Sequence, residues 1–438
     1  MLLKVVKVGL LGLGTVGGGT VNVINNNHVD ITRRTACQLV VTKASARDIN
    51  RARICDTQNI LVTTDSMDVV NDPDIDIVVE LMGGEEPAKS LILAAMKQGK
   101  HVVTANKALI ANHGNELFAA AAENNVVLAY EAAIAGGIPI VKAIREGLSA
   151  NSIEWLAGII NGTGNFILTE MRDKGSAFGD VLEQAQQLGY AEADPTFDVE
   201  GIDAAHKLAI LASISFGIPL QFEAVYTEGI SKVTPLDVTF AEELGYRIKH
   251  LGVARRTEQG IEMRVHPTLI PEKQLIANVN GVMNAVLVKG SAVGPTLYYG
   301  PGAGADATAS AVVADIIDIC RQTDTVIENR VPALGFQVDQ LNDTAILPIK
   351  AVETAFYLRL AVEDKPGVMA AITTILATQG ISIEAVVQKE PEQQGQHLSV
   401  ILITDKIVEQ SMLKALEDIE ALASVIGPAM RIRIESLQ

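Results

Sequence analysis

Lys4–Leu11 reads KVVKVGLL, β-branched and apolar, and runs directly into Gly12-Leu13-Gly14-Thr15-Val16-Gly17. The pattern predicts a strand, a tight turn and a helix over Gly18–Asn25. Strand-like runs recur at Gln38–Thr42, Asp76–Leu81, His101–Thr104 and Val126–Tyr130. Helix-like stretches such as Glu86–Gln98 and Ala108–Asn124 lie between them. This alternation predicts an α/β fold, with a parallel, doubly wound (Rossmann-type) sheet over residues 1–130.

The pattern then changes. Gly136-Gly137-Ile138-Pro139 opens a helix expected to run to about Leu148. Strands are expected at Ile153–Ile160, Arg247–Arg255, Ile261–Leu269 and Asn284–Lys289, and helices at Phe166–Lys174, Phe178–Leu188, Gly201–Phe216 and Pro235–Glu243. Residues 131–345 thus read as an α+β substrate and dimerisation domain, whose stretch 306–340 is expected to pack back on the first domain. Pro301-Gly302-Ala303-Gly304 reads as a turn leading into a helix over Asp306–Arg321. Asn342–Ile349 reads as a linker, so the C-terminal segment is expected to be separable. Residues 350–438 give the order βαββαβ, a ferredoxin-like module.

Composition narrows the classes. The 438 residues are 48% hydrophobic with a net charge of −17, which supports well-buried cores and disfavours nucleic acid as a partner. Cys37, Cys55 and Cys320 are scattered without CxxC spacing, so no disulfide framework is expected. No apolar run is long enough for a membrane span, and the cytoplasm is the expected location.

Gly12-x-Gly14-x-x-Gly17, placed between a strand and a helix, carries the dinucleotide fingerprint. The first glycine permits the turn, the second admits the pyrophosphate and the third lets helix and strand pack closely, with Thr15 and Val16 between them as candidate cofactor contacts. After the second strand come Lys43, Arg47 and Asp48. Lys43 and Arg47 both suit a 2′-phosphate and hence NADP, Asp48 suits the ribose of NAD, and solvated loop charges are the bland alternative. Thr104 ends a sheet strand, where such folds place ligands, and is equally suited to capping a helix.

The segment Ala185–Lys207 concentrates Glu192, Asp194, Asp198, Glu200, Asp203 and Lys207. Asp203 and Lys207 fall at i and i+4 on a helix that continues as apolar Leu208–Ile214. An exposed pair at this spacing is worth little. A buried one is a candidate acid/base or ammonium site.

The pattern A-x3-G-Y-x3-D-P-x2-D-V-x-G-x-D-x3-K from Ala185 to Lys207, with GLLGLGTVGGG, VVTANKA and EAAIAGGIPI, resembles the homoserine dehydrogenase family along essentially the whole chain. The resemblance implies reversible, NAD(P)H-dependent reduction of L-aspartate 4-semialdehyde to L-homoserine, on the route to threonine, methionine and isoleucine. It implies Lys207 as proton donor, Lys107 as a second lysine at the nicotinamide–substrate cleft, and Glu192, Asp203 and Asp198 as substrate-binding carboxylates. Gly189 and Gly302 would approach the cofactor, although a purely structural turn accounts for either. Backbone carbonyls of Glu131, Ile134, Gly136 and Ile138 would hold a monovalent cation such as sodium. The alternative is a glycine turn that packs a helix.

Asp364-Lys365-Pro366-Gly367 resembles the ligand loop of ACT domains. That implies an amino-acid effector, L-threonine first, held near Asp364, Pro366 and Gly367, and a homodimer or homotetramer. An ACT fold kept for assembly alone is the alternative.

Overall fold

Strands β1 (Lys4–Leu11), β2 (Cys37–Ser45), β3 (Leu61–Thr63), β4 (Ile77–Glu80), β5 (His101–Thr104) and β6 (Leu128–Ala129) run parallel in the order β3-β2-β1-β4-β5-β6. This is the doubly wound order of dinucleotide-binding sheets, in which the strand direction of travel reverses between β1 and β4. Every residue of β4 is buried, as expected for a parallel strand covered by helices on both faces. The computed structural model describes residues 3–322, 325, 329–389 and 397–437. It divides into two units: Met1–Gly162 with Asp203–Val225 and Val282–Thr344, and Thr163–Ile202 with Tyr226–Gly281 and Ala345–Gln438.

In the first unit, the helix Ala305–Gln322 packs on the helix Thr15–Asn26. A Cβ on Gly19 would come within 2.7 Å of the Ala305 carbonyl oxygen. Val312, Val313 and Ile316 share a core with Val8, Leu10 and Val21. The helix therefore covers the dinucleotide sheet from nearly 300 residues along the chain. Residues 323, 324 and 326–328 lie outside the described ones. This unit also holds an antiparallel trio, Ile153–Ile159, Met283–Gly290 and Gly294–Pro301. The last strand occupies a segment whose glycines and prolines suggest a turn; pairing on one side only tolerates such residues. The helix expected to run from Pro139 to Leu148 instead comprises Ile140–Lys142 followed by a wider-turned Ala143–Gly147.

In the second unit, Tyr246–Arg256 and Ile261–Pro271 form a long antiparallel hairpin. The C-terminal module has the expected βαββαβ order, with an antiparallel sheet ordered Met430–Ile434, Glu353–Val362, Leu398–Thr404, Ile383–Lys389.

The module is joined to the hairpin through the sheet, where the linker reading expects a separable segment. Thr268 and Leu269 of the hairpin pair in parallel with Arg433 and Ile434, making one continuous sheet. The linker itself is tied down: the Ile261 amide donates to Ala345 O, and Leu347 N donates to Ile261 O. Ile248 and Leu269 share a core with Tyr357, Ile401 and Ile432. Buried ion pairs cross the same seam: Arg264 Nη2 lies 2.6 Å from Glu435 Oε1, and Arg359 Nε lies 2.6 Å from Asp237 Oδ1.

Candidate active site

The glycine loop is shaped by contacts that a side chain would block. Gly12 has φ +106°, and a Cβ on Gly17 would sit 2.3 Å from the Gly12 carbonyl oxygen. A Cβ on Gly14 would meet nothing within 4 Å, so the backbone there is open to a ligand. Gly14 precedes the helix Thr15–Asn26 without a capping side chain, which leaves its first amides oriented for an anion. These features fit a dinucleotide pyrophosphate.

Beyond β2, Arg47 and Asp48 are exposed. Lys43 is committed elsewhere, 2.5 Å from Asp72, which removes it as a phosphate partner. Arg53, which the sequence did not bring forward, donates to Leu13 O at 2.6 Å and to Asp48 O, strapping the glycine loop to the segment after β2.

Asp203 and Lys207 occupy the helix Ile202–Phe216, which Gly201 enters at φ +86°. Asp203 stands in the first turn, where the helix dipole favours an acid, and one turn of helix places Lys207 beside it. Both are buried, at 4% and 8% exposure. Lys207 Nζ donates to Asp203 Oδ2 and to Ile160 O, each at 2.6 Å. Lys107 Nζ lies 3.0 Å from the other oxygen, Oδ1, and its side chain is one-third exposed. Asn161 Nδ2 donates to Oδ2 at 2.8 Å. Burial pushes the Asp203 carboxyl up, but the two ammonium groups and the hydrogen bonds from Lys207 and Asn161 outweigh it and hold the carboxyl well below the usual range. One carboxylate thus orders two cations, leaving a net positive centre suited to a developing oxyanion. Asn161 escaped the sequence reading, because its partner lies 42 residues away.

Thr104 is fully engaged by protein: its hydroxyl donates to Glu80 Oε2 at 2.6 Å and accepts from Asn106 N at 3.0 Å. The cap of the following helix is Asn106, whose Oδ1 accepts from Leu109 N. Glu192, Asp198 and Gly189 belong to the second unit. Glu192 is exposed, Asp198 sits in the short helix Thr196–Val199, and Gly189 is an exposed turn residue at φ +74°.

Gly302 packs tightly: a Cβ there would lie 2.2 Å from Asn284 Nδ2, and its carbonyl oxygen would lie 2.5 Å from a Cβ on Gly136. Glu131 is buried, and its carboxylate accepts from Val141 N and Lys142 N, capping the helix Ile140–Lys142. Burial and the neighbouring Asp315 carboxylate push it up to about 7. The turn Ile134–Ile138 includes Ala135 at φ +50° and Gly136 at φ +45°. Asp364, Pro366 and Gly367 are exposed, and Gly367 opens the helix Val368–Thr378 at φ +93° with no side-chain cap. Among the described residues no helix is long and apolar enough to cross a membrane.

Three family models match the chain: "Homoserine dehydrogenase, NAD binding domain" over residues 12–131, "Homoserine dehydrogenase" over 139–317, and "ACT domain" over 356–421. A homoserine dehydrogenase from Pseudomonas aeruginosa is 62% identical, covering 99% of this chain and all of the relative. The crystal structure of a homoserine dehydrogenase from Thiobacillus denitrificans superposes with a TM-score of 0.95 at 61% identity, covering 99% of each chain. A hyperthermophilic archaeal homoserine dehydrogenase solved in complex with NADPH matches with a TM-score of 0.61 at 28% identity, covering 72% of this chain and 98% of that one. With its dinucleotide loop, its buried Asp203–Lys207 pair and a C-terminal ACT domain, the chain belongs to the homoserine dehydrogenase family.

Proposed function

We propose that Lys207 is the proton donor in the reduction of L-aspartate 4-semialdehyde to L-homoserine, and that NADPH is the preferred cofactor. The observation that carries this reading is the shared carboxylate, with Lys207 and Lys107 on the two oxygens of Asp203. Held on the Gly12–Gly17 loop, the nicotinamide cofactor would supply the hydride for the aldehyde carbon. Lys207 protonates the alkoxide oxygen as it forms, becomes a neutral amine, and regains its proton from solvent between turnovers. Asp203 keeps the ammonium aimed and Lys107 adds positive charge against the oxyanion. The ammonium of the substrate is assigned to Glu192, with Asp198 in support.

Arg47 carries the NADPH preference, supported by its exposed guanidinium after β2 and by the NADPH complex of the archaeal relative. Gly12, Gly14, Thr15, Val16 and Gly17 take the pyrophosphate; Thr104, fully buried with its hydroxyl paired to Glu80, contributes through the strand end that it forms, and Gly189 and Gly302 offer backbone. The positive φ angles at Ala135 and Gly136 support a monovalent-cation turn built from the carbonyls of Glu131, Ile134, Gly136 and Ile138. The uncapped amides after Gly367, beside Asp364 and Pro366, suit the carboxylate of an effector such as L-threonine. We place the enzyme in the cytoplasm as a homodimer or homotetramer.

The substrate reading is tested by comparing L-aspartate 4-semialdehyde with succinic semialdehyde, which has the same aldehyde but no amino group. A large loss of kcat/KM for the second is expected, and equal use of both would remove the ammonium site. Titrating the rate with L-threonine tests the effector: an unchanged rate leaves the ACT domain to assembly alone.

A further inference from the structure

Glu80 is completely buried at the C-terminal end of β4, and no step above uses it. Its carboxylate is divided between two tasks. Oε1 accepts from Met82 N at 2.7 Å and Gly83 N at 3.2 Å, fixing the loop that leaves β4. Oε2 accepts the Thr104 hydroxyl at 2.6 Å, and that hydroxyl accepts Asn106 N at 3.0 Å. Asn106 caps the helix Lys107–Glu123, and its Nδ2 returns to Gly84 O at 2.5 Å. The next residue is Lys107, first in that helix, whose Nζ meets Asp203.

We propose that Glu80 is a positioning residue for Lys107, acting through Thr104 and the Asn106 cap, so that one buried carboxylate sets where the second ammonium meets Asp203. The physical reason is donor direction. A carboxylate can only accept, so Thr104 must donate to it, which leaves the hydroxyl oxygen aimed at Asn106 N. An isosteric amide presents a donor toward Thr104 instead, reverses that hydroxyl and weakens the hold on the turn before Lys107. The amide oxygen still accepts from Met82 and Gly83, so the loop after β4 stays anchored. The proposal rests on the reading that Lys107 works in the reaction.

The test is a double-mutant cycle on the full-length enzyme with NADPH and L-aspartate 4-semialdehyde. Glu80→Gln should lower kcat about tenfold, with KM for NADPH changed less than about twofold. In a Lys107→Ala background the same substitution should cost less than about twofold, because its target is gone. Asn106→Ser, which keeps a helix cap but drops the donor to Gly84, should show the same non-additivity and guards against an unfolded first variant. Equal losses in both backgrounds, with Lys107→Ala itself impaired, would overturn the positioning role while sparing the reading of Lys107. If Lys107→Ala turned over like the parent, that reading would fail and the positioning role with it.

Discussion

The Nζ of Lys207 stands 2.6 Å from Oδ2 of Asp203, one helical turn before it, while Lys107 takes the opposite oxygen. Replacing Asp203 by Asn keeps the shape but leaves two cations without their shared counter-charge. Turnover should fall by about 100-fold or more, with NADPH affinity nearly unchanged. The sign of the pH effect comes from the depressed carboxyl. Its pairs are present above the unfolded carboxylate range near pH 4 and are lost only as the pH falls through the lower folded value. A kcat profile for the parent should therefore show no acidic limb from Asp203 above about pH 5. A limb there that vanished in Asp203→Asn would refute the assignment.

Gly17→Ala would place a methyl 2.3 Å from the Gly12 carbonyl oxygen, inside any permitted contact. The loop must open to accept it. Fluorescence titration should show NADPH affinity down by at least about tenfold, since the pyrophosphate cradle is the part displaced. Undiminished affinity would mean that the ligand does not use this loop.

Arg47→Ala should weaken NADPH about tenfold or more and NADH little, because a guanidinium–phosphate pair is lost only for the former. Lys43 is held by Asp72 rather than left to stand in for it. Equal effects on both cofactors would assign the 2′-phosphate to another group, with Arg53 the first to examine.

The ACT module should prove structural. Glu435→Ala leaves Arg264, only 1% exposed, without the partner 2.6 Å away, while Glu262 remains at 2.9 Å. Removing one member of a buried pair costs about 3–5 kcal/mol. Chemical denaturation should register a loss of that order, and a chain truncated after Leu347 should fare worse. A truncated chain as stable as the parent would show that the seam carries no weight.

How much of this could be read from the sequence depended on range. The glycine loop and the Asp203–Lys207 pair are local, fixed by a turn and by the i,i+4 spacing of one helix, and both were legible. The ferredoxin-like order of the tail was legible for the same reason. Asn161, Glu80 and Arg53 were not, since each acts on a partner 24 to 42 residues away that no periodicity marks. The parallel pairing of Thr268 with Arg433 spans more than 160 residues, which is why the linker reading made the ACT module look separable. Thr104 lay between these cases: its position at the end of a strand was plain, but the engagement of its hydroxyl by Glu80 was not.

The most direct measurement is the rate of NADPH oxidation with L-aspartate 4-semialdehyde, taken for the parent and for Lys207→Ala alongside NADPH binding by each. The proton-donor role predicts steady turnover by the parent. It predicts a loss of about 1,000-fold or more in kcat for the variant, with NADPH affinity unchanged. A variant that turned over within a few-fold of the parent would contradict the role given to Lys207.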